Sequence, residues 1–324
     1  MNRRLALVFS GLIVALTAWT VAAQGPVVLD PAKLKLASAN ALVVDTTDNR
    51  AVYTKAANDV TPIASLTKLM TAIVTLDAGQ SLDEPLAIDM DDLDFVKGSS
   101  SRLRMGSELP RREMLRLALM SSENRAASSL ARAYPGGTPA FVAAMNVKAR
   151  TLGMTRTHYA DATGLSPENV STASDLAIVV GAAAQYPLIR EFSTTGSHYV
   201  EVQPTGQWLG YNNTNNLVKN AQWDIQLSKT GYIREAGKCL VMMATIGSRP
   251  FVIVLLDSAG RFTRLGDATR VRHWLETGET LPASALKPAA KPAKGKARVA
   301  GTLPPRTAFA QNTRMAKPAK TPRV

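Results

Sequence analysis

The amino-acid sequence predicts an α+β fold, in which a five-stranded antiparallel sheet is assembled from both chain ends around a mostly helical insertion. Three features carry that expectation. Two strand-like runs lie together early in the chain, and three more lie together late in it. The stretch between them reads at helical rather than alternating period.

The elements follow in order. Residues 41–45 and 51–55 flank Thr46-Thr47-Asp48-Asn49, a turn composition, and so predict a hairpin. Residues 64–78 are apolar on nearly all sides, as a buried helix requires. Residues 111–120 and 124–134 read as a second and a third helix. Thr138-Pro139 opens a fourth with a cap and an N1 proline, and Gly153 ends it. Thr172-Ala173-Ser174-Asp175 has the form of a capping box for a fifth, which Pro187 stops. Residues 225–232, 239–246 and 251–257 are three strands, with Gly247-Ser248-Arg249-Pro250 turning between the last two. A helix over 262–275 closes the body.

With 46% hydrophobic residues among 324, the chain can bury a sizeable core, which excludes wholesale disorder. Its 38 bases against 25 acids give a net charge of +13, which alone would suggest a polyanionic partner. The distribution says otherwise. Residues 287–324 hold ten bases and no acid, Arg3 and Arg4 add two, and residues 5–286 keep 26 bases against 25 acids. The basicity is an appendage on a nearly neutral body. Residues 284–324 have almost no large apolar side chains and are expected to be a disordered basic tail, leaving 24–283 as the folded domain.

At the N-terminus, Arg3-Arg4 precede an apolar run over residues 5–21, followed by the small residues of Val21-Ala22-Ala23-Gln24. This is the layout of a secretory signal peptide over 1–23; the run is slightly long, so an uncleaved anchor is the alternative. Export removes nucleic acid as a partner. Cys239 is the only cysteine and lies in a strand-like apolar run, so it reads as core packing, with no disulfide framework. With three scattered histidines there is no zinc-type ligand spacing, and neither metal nor other cofactor is expected.

Three short motifs carry chemistry. In Ser65-Leu66-Thr67-Lys68 the serine and lysine share one helix face and can meet across a turn. Near the start of a buried helix the lysine is desolvated, which lowers its pKa and lets a neutral amine take the serine proton. The spacing alone is weak, because it recurs by chance about once in a few hundred residues. Ser284-Ala285-Leu286-Lys287, in the tail, is such an accident. The second motif, Ser122-Glu123-Asn124, falls between two helices and could be an ordinary cap. Ser38-Ala39-Asn40 repeats its spacing and is expected in a loop. The third, Lys229-Thr230-Gly231, lies on a predicted strand: a cation and a hydroxyl to bind a carboxylate, and a missing side chain that lets a substrate lie against the strand.

In the order Ser65-x-x-Lys68, Ser122-x-Asn124, Lys229-Thr230-Gly231, the set resembles that of penicillin-binding proteins and class A β-lactamases. Over about residues 38–278 the chain is similar to the low-molecular-mass serine DD-peptidases. The contexts Ile63-Ala64-Ser65-Leu66-Thr67-Lys68-Leu69-Met70, Met120-Ser121-Ser122-Glu123-Asn124-Arg125, Asp161-Ala162-Thr163-Gly164-Leu165-Ser166 and Leu227-Ser228-Lys229-Thr230-Gly231-Tyr232 resemble the D-alanyl-D-alanine endopeptidase branch. Arg125, where related carboxypeptidases commonly have Asp, fits that branch as well.

The resemblance implies a β-lactamase/DD-peptidase-like fold and a division of labour. Ser65 is the nucleophile, Lys68 its general base, and Ser122 the proton relay to the leaving amine. Asn124 holds the substrate amide, Lys229 and Thr230 hold its anionic group, and Gly231 lets the substrate backbone lie against the strand. The backbone N–H groups of Ser65 and Tyr232 form the oxyanion hole. No Glu-x-x-Leu-Asn stretch stands where a class A β-lactamase carries its deacylating Glu, and Glu168 reads as a loop residue, so penicillin is expected to inhibit rather than turn over. The implied enzyme is periplasmic. It acts on peptidoglycan stem peptides, with cross-link cleavage favoured over trimming of terminal D-alanine, and β-lactams are its covalent inhibitors. A catalytically silent peptidoglycan-binding scaffold is the rival reading, against which the intact motif set speaks. The plainer expectation for the tail is a solvated end; the sharper one is contact with anionic wall or membrane surfaces.

Overall fold

A computed structural model describes residues 28–95, 97–259 and 263–281. The predicted signal peptide and the basic tail, with its Ser284 motif, lie outside the described residues. β1 (Ser38–Asp45) and β2 (Arg50–Lys55) form the expected hairpin. β1 begins at Ser38 because that residue is pinned. Its backbone N–H and its hydroxyl both donate to the buried Asp267 carboxylate, each at 2.7 Å. Ser38-Ala39-Asn40 is therefore strand, not the loop expected of it.

After β3 (Thr61–Pro62) the predicted helix over 64–78 divides into a 3-10 turn, Ala64–Thr67, which opens on Ala64 at φ +49, and α1 (Lys68–Asp77). β4 (Pro85–Ala87) pairs with β5 (Glu108–Pro110), and α2 (Arg111–Met120) and α3 (Asn124–Arg132) follow close to their predicted bounds. α4 (Gly137–Thr151) starts from a left-handed Gly136 rather than from a Thr138 cap. β6 (Val170–Ser171) pairs with β3, and α5 (Ala173–Ala183) begins on the Thr172 hydroxyl, which accepts from Asp175 N. The capping box is only half made: the Asp175 carboxylate turns away to Arg156 N and Thr157 Oγ1.

Pro187 does not simply stop a helix. It stands at the first position of another, α6 (Pro187–Thr194), where a missing N–H costs nothing. A hairpin unmarked in the sequence reading follows, β7 (Ser197–Val202) with β8 (Gln207–Asn212). The last strands are β9 (Asp224–Ile233), β10 (Gly237–Ile246) and β11 (Arg249–Ser258), and α7 (Thr263–Thr277) completes the described body.

The sheet has five antiparallel strands in the order β2-β1-β11-β10-β9. Closing β1 against β11 joins the two ends of the body, as predicted. Both sheet faces are covered, which is why its strands read as near-continuous apolar runs. Leu42, Val241, Val252 and Val254 face the helical layer around α1, α2 and α5. Their alternates Val43, Leu240, Met242, Ile253 and Leu255 face α7 and Trp274. Each such fully buried side chain contributes roughly 1.5–3 kcal/mol. β9 is left as an edge strand, and its free edge faces the turn that bears Ser65.

Candidate active site

Three separate segments meet at that edge. The Ala64–Thr67 turn carries Ser65, the junction of α2 and α3 carries Ser122 and Asn124, and β9 carries Lys229, Thr230 and Gly231. Ser65, Ser122, Asn124, Thr230 and Gly231, with Leu165, Thr214, Tyr232 and Arg264, line a cleft of about 490 Å³, and Lys229 is buried beneath it. A larger groove of about 980 Å³ between α5 and the sheet has no lysine, histidine or carboxylate in its lining, so it holds no nucleophile–base pair.

Gly231 makes the approach of β9 possible. A Cβ there would lie 2.9 Å from Ile63 O, 3.2 Å from Ala64 Cβ and 3.3 Å from Ser65 N. On the opposite side, the loop over 160–169 presses against the same turn. Gly164, at φ +79, comes so near that a Cβ would lie 2.0 Å from Ala64 O. The Asp161 carboxylate organises this loop by accepting from Thr163 N, Gly164 N and Ser166 N. The Asn169 amide ties it to Thr67 Oγ1 at 2.9 Å.

Lys68 is fully buried at the first position of α1. Its Nζ has three neighbours: Ser65 Oγ at 2.9 Å, Asn124 Oδ1 at 2.7 Å and Thr163 O at 2.6 Å. The two carbonyl oxygens can only accept, so they take two N–H groups of the amine. The Ser65 hydroxyl is the one neighbour able to donate, and a neutral Lys68 points its lone pair there. Burial pushes this amine from its ordinary 10.5 down to about 7, against the opposing pull of Asp161 and Glu123.

Lys229 is equally buried. It donates to Ser122 Oγ and to its neighbour Thr230 O, both at 2.8 Å. Burial first, then the positive charges of Lys68 and Arg264, hold it well below its ordinary range. Ser122 itself is at φ +61, a strained backbone for a residue with a side chain, and its hydroxyl accepts from Lys229. Thr230 Oγ1 lies 2.6 Å from Thr214 Oγ1. The Arg264 guanidinium donates to Gly231 O at 2.9 Å and so sets a positive charge behind this end of the cleft. Asn124 spans the site, its Oδ1 on Lys68 and its Nδ2 donating to Ser99 Oγ at 3.1 Å.

Every residue picked out by the three motifs is thus brought to one place, with Tyr232 on the cleft wall beside Gly231. Glu168 is exposed in a turn. The sequence reading missed Thr163, Thr214, Ser99 and Arg264. For Thr163 a signal existed, since Asp-x-Thr-Gly is a side-chain-capped turn composition. Nothing local marks Arg264, which reaches the site only because α7 packs across β10. The arrangement offers an activated hydroxyl, a desolvated base, a second hydroxyl as proton shuttle and a cationic pocket. That is acyl-transfer chemistry through a covalent serine ester.

Comparison with known proteins agrees. The profile of the Peptidase S11 family, described as D-alanyl-D-alanine carboxypeptidase, matches residues 27–260. The D-alanyl-D-alanine endopeptidase of Pseudomonas aeruginosa is 49% identical over 286 residues, covering 88% of this chain and 92% of the relative. That of Escherichia coli K12 is 46% identical over 281 residues, covering 87% and 88%. Among solved structures, the Streptomyces K15 DD-transpeptidase superposes with a TM-score of 0.70 at 28% identity, over 75% of this chain and 98% of that one.

Proposed function

The chain belongs to the D-alanyl-D-alanine carboxypeptidase family of serine peptidases, and from that membership we propose that it cleaves D-alanyl cross-links of peptidoglycan as a DD-endopeptidase. The observation that carries the chemistry is the Lys68 amine, whose two carbonyl acceptors leave its lone pair to Ser65. Similarity to two endopeptidases along nearly their whole length supports the choice of bond.

In this reading neutral Lys68 takes the Ser65 proton as Oγ attacks the carbonyl carbon of the cross-linked D-alanine. The oxyanion is received by the N–H groups of Ser65 and Tyr232, each of which is worth a hundredfold or more in rate in comparable sites. Lys229 donates to Ser122 Oγ, so the Ser122 proton is free to pass to the leaving nitrogen and is replaced from protonated Lys68. Thr230, Thr214 and Arg264 receive the carboxylate on the leaving side, Asn124 holds the donor amide, and Gly231 leaves room for the substrate backbone. Expulsion of the amine gives the Ser65 ester, which water then hydrolyses. Penicillin enters the same path and stays as a slow-hydrolysing ester. The enzyme works in the periplasm after export on residues 1–23, and its basic tail tethers it to anionic wall or membrane surfaces.

Two measurements test this. A fluorescent penicillin labels the purified protein and leaves Ser65→Ala unlabelled. Digestion of sacculi lowers the cross-linked dimers with no new loss of terminal D-alanine; release of D-alanine alone would make it a carboxypeptidase instead.

A further inference from the structure

The junction of α2 and α3 serves two cavities. Ser122 and Asn124 line the catalytic cleft, while Ser121 and Glu123, one residue out of step, line another pocket of about 400 Å³ that shares no residue with it. Ser100, Ser101 and Arg102, on the loop before β5, and Tyr211, on β8, complete its wall.

Two polar groups of this pocket lack the partners that burial demands. Glu123 is 9% exposed, yet its carboxylate has one hydrogen bond, from Arg125 N at 3.3 Å, and no ion pair among the described residues. Tyr211 is 2% exposed, and its Oη has no hydrogen-bond partner. A buried carboxylate is ordinarily paired and a buried phenol ordinarily hydrogen-bonded, because each otherwise gives up its hydration without return. The neighbouring cations are spent elsewhere. The Arg125 guanidinium donates to Leu103 O at 2.6 Å, and that of Arg102 donates to Gly210 O and lies over the Tyr211 ring at 4.1 Å.

What the pocket offers is acceptors. The Ser121 hydroxyl gives its proton to Leu117 O at 2.8 Å and keeps its lone pairs. Burial first, and then Glu123, hold the Tyr211 phenol above its ordinary range against the pull of Arg102, so it stays a neutral hydroxyl with lone pairs open. A matching ligand must donate, carry positive charge and be small, which describes an ammonium with its three N–H groups. We propose that this pocket binds the ammonium group of a small primary amine on Glu123, Tyr211 Oη and Ser121 Oγ, and that its occupation regulates acylation of Ser65.

The link to Ser65 is electrostatic. Lys68 faces Glu123 and Asp161, which both favour its charged form, with Lys229 the other titrating group beside it. Cancelling the Glu123 charge leaves more Lys68 neutral, so the bound ammonium activates the enzyme where protonated Lys68 predominates. This rests on the serine-acylation reading above.

The assay is the rate of labelling by a fluorescent penicillin at pH 6, with methylammonium as the probe. It is run on the wild type, Tyr211→Phe and Glu123→Gln, with folding checked by circular dichroism. In the wild type the rate rises to a plateau at least about threefold higher, the gain that a fall of about half a pH unit in the labelling midpoint gives. Tetramethylammonium, which has the charge but no N–H group, leaves the rate unchanged at the same ionic strength. Tyr211→Phe removes a hydroxyl with no partner, so its rate without probe stays that of the wild type. It needs about tenfold more methylammonium to respond, the scale of one hydrogen bond to a charged group. Glu123→Gln does not respond. Glycine acting at lower concentration than methylammonium identifies a free amino acid as the ligand, its carboxylate taken by Arg102; equal or lower potency identifies a simple amine. No response, an equal response to tetramethylammonium, or a response that survives both substitutions overturns the proposal. A wild type that penicillin does not label is a different result, which removes the serine-acylation reading and this inference with it.

Discussion

The pH dependence of Ser65 acylation follows from how Lys68 is buried. Lowering its pKa from 10.5 to about 7 is worth on the order of 5 kcal/mol in favour of the neutral amine. At pH 7 the neutral fraction rises from about one in three thousand to about one half. Neutral lysine is the active form, so acylation is full above the folded pKa and is lost as pH falls through it, about tenfold per pH unit. The second-order rate of labelling by a fluorescent penicillin, measured from pH 5 to 9, rises sigmoidally with a midpoint near 7. Glu123→Gln keeps an acceptor for Arg125 N and removes a negative charge that raises Lys68, so its midpoint moves to lower pH. A profile still climbing at pH 9, or an alkaline move in Glu123→Gln, would refute burial as the device that activates the base.

Four further outcomes are expected. Gly231→Val drives β9 away from Ile63 O and Ser65 N and lowers acylation at least about a hundredfold, while the thermal midpoint moves little. Gly164→Ala puts a Cβ into Ala64 O at φ +79; calorimetry should show destabilisation of about 2 kcal/mol or more. Asp267→Ala strands the Ser38 and Ala37 N–H groups and takes the carboxylate from Arg270, while the Ser38 hydroxyl keeps Ser258 Oγ; this costs about 3 kcal/mol by denaturant titration without changing acylation at 20 °C. Deleting residues 287–324 removes ten bases and weakens retention on sacculi at low salt but not at high salt; equal retention with and without the tail at both ionic strengths sinks the tether.

The elements that the sequence marks by periodicity are the ones that bury a continuous face. The sheet strands and α2 fall within a few residues of their expected bounds for that reason. Local signals failed where a residue's partner is far along the chain. Ser38 reads as loop until Asp267, 229 residues away, fixes it in β1. The Asp175 carboxylate leaves its capping role because Arg156 N and Thr157 compete for it. Pro187 is ambiguous in one dimension, since the same residue ends one helix or begins the next.

The candidate nucleophile, base, shuttle and strand motif were legible because each needs a residue type at a fixed local spacing: one helical turn from Ser65 to Lys68, one tripeptide on β9. Their electrostatics were not. Only the tertiary structure decides that Lys68 is fully buried, that Thr163 O and Asn124 take its N–H groups, and that Arg264 stands behind Gly231. The sequence can therefore name the groups that react. Desolvation and the direction of a lone pair depend on atoms from four distant segments, and those come together only when β1 closes on β11 and β9 is left with a free edge.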